Sequence, residues 1–252
     1  MQSNLPKAIP WPRRSRLRSG ALSLLIALAV IPGVASAARL VGKVAGFRDL
    51  RNPVWEEARN PERHGYSFRE PVPTVRAEFR KLYPDLPKEV CVAALATGPQ
   101  AKWKPVLIHV GGGRTSSVTL VVPPGTQLTF KNTDPFSHRL YAVGVNSFLP
   151  NDTKGGATRD WSVPSAGVFE IRDELAPSLR MWVIGEPRVA AIVYPSLTGD
   201  FALTVEQPGS YDVQPFFAGK PVGAALKVDV TDKDLDLTKA PIKLAEPKKG
   251  AD

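Results

Sequence analysis

A chain of 252 residues with 43% hydrophobic side chains forms one large domain or two small ones, and 25 prolines and 20 glycines favour many short strands over long helices. Much of the formal charge of +9 sits at the start, where Lys7, Arg13, Arg14, Arg16 and Arg18 meet no acid; residues 38–252 keep 28 − 24 = +4, too little to indicate nucleic-acid binding. Cys91 is the sole cysteine, which excludes an intrachain disulfide and a cysteine-based zinc cage.

The basic start runs into an apolar stretch, Ala21 to Val34, and then into Ala35-Ser-Ala37. That order is the layout of a secretory signal peptide, with cleavage after a small-x-small site. The stretch is short for a membrane anchor, the competing reading. Arg13-Arg14 hints at a twin-arginine route, although Arg16 falls where that signal prefers an apolar residue. With residues 1–37 as leader, the mature chain is expected in the periplasm or outside the cell, with no membrane span after cleavage.

Ala38 to Phe47 reads as a strand with Leu40, Val44 and Phe47 inward. Arg48 to Pro73 is polar and rich in proline, a surface loop with room for a helical turn at Val54 to Arg59. Val75, Phe79, Leu82 and Tyr83 define one face of a short helix that Thr74 caps and Pro84 ends. Glu89 to Leu95 is a buried strand in which Cys91 acts as a small apolar residue. Val106 to Val110 is the next, and carries His109; His64 lies in the earlier loop.

From Val118 the alternation is cleaner. Val118 to Val122 leads through Pro123-Pro124-Gly125-Thr126, the signature of a type II turn, to Leu128, Phe130 and Asn132. Further strands are expected at Arg139 to Val145, Asp160 to Val163, Val168 to Arg172 and Met181 to Ile184, with a polar loop over Asn146 to Thr158. A second run follows at Ala190 to Tyr194, Phe201 to Val205, Tyr211 to Phe217 and Ala225 to Val230. Residues 232–252 are rich in Lys, Asp and Pro and read as a disordered tail. Short strands with turn signals at this spacing describe β-sandwiches.

Residues 117–184 resemble the cupredoxin (plastocyanin-like) family, on the run VVPPGTQLTFKNTDPFSHRLY, the Gly167 turn into an aromatic-bearing strand, and Glu174-Leu-x-Pro177 before the closing strand. Residues 190–230 look like the small sandwich of carboxypeptidase-regulatory-like modules, on Gly199, Phe201, Pro208, Gly209 and Tyr211. The resemblances imply a mainly β protein: a Greek-key sandwich over 106–187, a small second β module over 188–231, and a strand–loop–helix–strand segment over 38–105 packing on the first sandwich.

The resemblance also implies a metal site that the residues do not supply. A blue-copper site needs two His, a Cys thiolate and a weak axial Met. Its first-loop ligand is present as His138, but the three second-loop positions hold Asp173, Ala176 and Leu179, and Met181 lies two positions past the axial place. Type 1 copper is therefore not expected, nor any other cofactor. If the fold holds, His138 and Asp173 face each other, and a direct hydrogen bond between them is expected to tie the loops while Ala176 and Leu179 seal the volume. The alternatives are His138 turned to solvent, or His138 and Asp173 sharing copper or zinc with a borrowed histidine.

Asn132, Asp134, Arg159, Trp161, Arg172 and Glu174 form the candidate binding rim, with an ion-pair network expected around Arg159-Asp160 and around Arg172-Asp-Glu174 with Arg180. No nucleophile triad, zinc-protease, P-loop or dinucleotide motif is present. The expectation is a non-catalytic binding or structural protein of the cell envelope, its partner another envelope protein or a glycan. A periplasmic metal or redox protein using His138 is the runner-up; an enzyme with His138 and Asp173 as acid and base ranks last.

Overall fold

The computed structural model describes residues 37–58 and 83–245. The proposed leader and the helix expected from Thr74 fall outside them, apart from Ala37 and Tyr83. The fold is mainly β. Its α-helices among the described residues are α1 (Pro53–Ala58) and α2 (Leu86–Glu89). The first falls where the helical turn was expected. It opens on Asn52, whose Oδ1 accepts from Val54 N–H at 2.9 Å, with Pro53 in the first turn. No helix among the described residues is long and apolar enough to cross a membrane.

The strands build two sandwiches. In the first, one sheet runs β5 (Thr119–Val122), β10 (Arg180–Gly185), β9 (Gly167–Asp173) and β7 (Leu140–Ala142). The other runs β4 (Arg114–Thr115), β3 (Val106–Gly111), β6 (Gln127–Asn132) and β8 (Thr158–Ser162). Pairs β3–β6 and β5–β10 are parallel and the rest antiparallel. Their facing side chains share one core, in which Phe130, Phe148, Trp161 and Phe169 follow one another at ring-centroid distances of 5.3–5.6 Å. The turn between β5 and β6 takes the expected form: Gly125 has φ +80°, and Thr126 N–H donates to Pro123 O at 3.2 Å.

The second sandwich draws on both ends of the chain. One sheet places β1 (Ala38–Ala45) between β12 (Asp200–Val205) and the short parallel strands β16 (Leu235–Asp236) and β17 (Ile242–Lys243). The other runs β11 (Val189–Val193), β2 (Val90–Ala96), β13 (Gly209–Phe217) and β14 (Lys220–Pro221), with β15 (Leu226–Val230) also on β13. The described strands of the 38–105 segment, β1 and β2, thus belong to the second sandwich, and the first sandwich is inserted between β2 and β11. The physical reason is that the strands of 188–231 are apolar on more faces than they can cover by themselves, so β1 and β2 complete their core. Gly199, Phe201 and Tyr211, three of the residues that carried the second resemblance, serve the β12 turn and that core.

The tail also departs from expectation. Ile242 and Leu244 are buried, and Leu235 and Leu237 pack on the same core, so residues 232–245 are ordered along β1. Four apolar side chains scattered among charges escape a composition test, yet two backbone hydrogen bonds to Val41 O and Ala45 O and their burial suffice to dock the segment.

Strand β2 shows how the sandwiches are joined. Val90, Val92 and Ala94 face the second core, while Cys91, Ala93 and Leu95 face Val121 and Ile184 of the first sandwich. A strand covered on both sides reads as an unbroken apolar run rather than an alternation, as EVCVAAL does. At this seam burial pushes the Cys91 thiol up to about 12. Cys91 should therefore remain unlabelled by a thiol-specific disulfide reagent at pH 8 in the folded protein and react fully in denaturant; rapid native labelling would contradict this burial.

Candidate functional site

Strand β6 ends on Asn132, which is wholly interior at 1% exposure. Its amide donates to Phe136 O and Thr153 O, both at 2.8 Å, and its Oδ1 accepts from Asp134 N–H at 2.8 Å. One side chain thus folds the Asp134-Pro-Phe-Ser loop back on itself and delivers His138 to the interior. There His138 pairs with Thr153 as an isolated antiparallel bridge, at 3.0 and 2.8 Å. The imidazole is fully buried.

Both ring nitrogens meet carboxylates. Nδ1 lies 2.5 Å from Asp173 Oδ2, and Nε2 lies 3.1 Å from Asp134 Oδ2. The expected His138–Asp173 hydrogen bond is present, and a second on the opposite side of the ring accompanies it. The ring is thus held on both sides by hydrogen bonds to carboxyl groups.

Each carboxylate is held in turn by backbone. Asp173 Oδ1 accepts from the N–H groups of Leu175 (2.7 Å), Arg139 (3.1 Å) and Ala176 (3.3 Å). Asp134 accepts from Gly112 N–H at 2.9 and 3.1 Å. The result is a tie through Gly112, Asp134, His138 and Asp173 that joins the β3–β4 turn, the His138 loop and the loop after β9. In the loop after β9, Leu179 N–H donates to Ala176 O at 2.8 Å, Leu179 is fully buried, and Ala176 packs on the core of the first sandwich.

The candidate rim is only partly a rim. Asn132 and Trp161 are interior, so neither can meet a partner; the indole N–H of Trp161 is 3.3 Å from Ser147 Oγ. Arg159 has no acid beside it. Its guanidinium donates to Leu140 O at 2.6 Å, to Asn151 O at 3.3 Å and to Leu149 O, and lies 4.1 Å from the centre of the Phe148 ring, clamping the 146–158 loop. Asp160 accepts from Thr129 instead, at 2.7 Å.

Arg172 and Arg180 do form ion pairs, but not with Asp173 or Glu174. They share Glu170, at 2.9 and 3.6 Å, and Arg180 also pairs with Glu57 on α1. Glu174 meets Arg139 at 3.8 Å. Period-two spacing places Glu170 and Arg172 on one face of a strand and would have identified this pair. His109 is exposed on β3, and His64 lies outside the described residues.

As a metal site the residues do not fit. No group of three or more His, Cys, Asp or Glu among the described residues is arranged to hold an ion. A ligating imidazole must offer a lone pair, and both nitrogens of His138 face carboxylates. A metal at Nδ1 would have to displace Asp173 and would then find one imidazole and no thiolate.

No protein-family profile and no curated protein matches the chain. Solved structures match part of it. A reduced amicyanin variant is 18% identical over 36% of this chain and 99% of its own, with a TM-score of 0.30. The Cu(I) form of another amicyanin variant is 16% identical over 38% and 98%, with a TM-score of 0.31. A purple cupredoxin from Nitrosopumilus maritimus is 20% identical over 32% and 99%, with a TM-score of 0.28. At these scores the two-sandwich architecture stands on the chain's own strand pairing.

Proposed function

We propose that the protein is an exported, non-catalytic binding or structural component of the cell envelope. In this reading, residues 106–187 are a cupredoxin-like domain whose metal position has been taken over by a hydrogen-bonded tie. The observation that carries it is the engagement of both His138 nitrogens, by Asp173 at 2.5 Å and Asp134 at 3.1 Å. Export rests on the three-part pattern of residues 1–37, and the mature chain is then periplasmic or extracellular. The expectation of no catalysis draws on the full burial of His138 and Asp173, which keeps that acid–base pair from touching a substrate.

Calorimetric titration of the mature protein with Cu(II) and with Zn(II) tests this. The expected result is no stoichiometric binding that disappears on His138→Ala. Tight one-to-one binding that vanishes in that variant would replace this reading with a metal-binding one.

A further inference from the structure

Against the tie, two of whose members (Gly112 and Asp173) line it, lies a cleft of about 740 Å³ on the outer face of the β5–β10–β9–β7 sheet, walled by α1, α2 and the β3–β4 turn. Its size is within the range of small-ligand sites. Val118 and Trp182 contribute apolar surface, and Tyr141 lines it from β7.

The charged groups around it are mostly paired. Arg172 is matched by Glu170, Arg180 by Glu57 and Glu170, and Lys88 by Asp85 at 3.8 Å. Of the other acids lining it, Glu89 lies near Arg114, Glu174 meets Arg139 and Asp173 is held by His138, so each carboxylate has a basic group beside it and no strong field selects an anion or a cation. One buried donor is left over: Nε of Arg180, whose side chain is 11% exposed, has no hydrogen-bond partner and stands 3.6 Å from the nearest carboxylate oxygen. A buried unsatisfied N–H beside a cleft invites an acceptor from a ligand. Arg114, Tyr141 and Ser178, each carrying a polar side chain, also line the cleft.

We propose that this cleft binds an uncharged, hydroxyl-rich ligand: a short oligosaccharide. Planar guanidinium and carboxylate groups that already neutralise one another still offer forked donors and acceptors to neighbouring hydroxyls, and the tyrosine ring suits the apolar face of a sugar. The inference supplies a ligand class for the binding role proposed above and rests on it, yet it is independent of whether His138 binds a metal.

Calorimetric titration of the mature protein with maltotetraose, cellotetraose and chitotetraose tests the proposal. At least one should bind saturably, and Tyr141→Ala and Arg114→Gln should each weaken it about tenfold while leaving the melting temperature unchanged. The proposal is overturned if none of the three binds, if both variants bind like the parent, or if tetraalanine binds more tightly than any sugar. A positive copper titration would remove the metal-free reading without changing any of these outcomes.

Discussion

Replacing His138 with alanine should lower the unfolding free energy by about 3–5 kcal/mol, the combined cost of stranding a buried hydrogen-bonded carboxyl and leaving a cavity where the ring stood. For a unit of this size the melting midpoint should fall by about 10 °C. The loss is large because the Asp173 side chain is fully buried, and with the imidazole gone its Oδ2 faces a void. Asp134 loses its partner as well, but being partly open it can take water in exchange. Asp173→Ala should be costly for a different reason, since it strands the N–H groups of Arg139, Leu175 and Ala176. Urea unfolding of the two single variants and the double variant should show a coupling of about 1–3 kcal/mol between the positions. Strictly additive effects would mean that the contact between them holds nothing together.

The combined variant Asp173→Cys, Ala176→His, Leu179→Met should take up Cu(II) and turn intensely blue, with a strong visible thiolate-to-copper band that the parent lacks. The nitrogen facing position 173 is Nδ1, at 2.5 Å from the present carboxylate, so a cysteine there puts a thiolate beside an available imidazole lone pair. Position 176 supplies the second imidazole that a trigonal His2Cys site requires, and position 179 the weak axial thioether. Asp134 already occupies the outer role common in metal sites, a carboxylate accepting from the other ring nitrogen of a ligating histidine. Leucine to methionine at a buried site nearly conserves volume and should cost less than about 1.5 kcal/mol. A folded variant that remained colourless in excess Cu(II), by visible and paramagnetic resonance spectra, would show that the two loops no longer keep a copper-ready spacing.

How far the sequence could be read depended on whether a signal was local. The strands of the first sandwich other than the two-residue β4 fell within a few residues of expectation because alternation and the Pro124-Gly125 turn are written in neighbouring positions. The His138–Asp173 contact was legible for another reason, since a resemblance assigned both residues to one place. Asp134 at Nε2 was not foreseen, because nothing in a loop sequence says which way a short carboxylate turns. Phe148, in a loop that reads as polar, fills the core beside Phe130 and Trp161, and a single apolar side chain has no period to betray it. Least legible was the ownership of β1, β2 and the tail. Pairings such as Ala38 with Val205 and Val44 with Ile242 join residues far apart in the chain, and composition carries no trace of such partnerships.

The insertion of one sandwich within another sets an order of assembly. Leu95 lies opposite Val189, so the chain departs from the second sandwich and re-enters it at adjacent points, and the intervening segment can mature as a self-contained excursion. A polypeptide threaded through a membrane from its amino end would present Ala38–Ala45 and Val90–Ala96 long before Asp200–Val205 and Gly209–Phe217 emerge to receive them. If the chain is exported as proposed, those early strands would wait unpartnered beyond the membrane, where sticky backbone edges invite association between nascent copies. Under that proposal, yield should be governed by how well these waiting strands are shielded rather than by the robustness of the finished molecule.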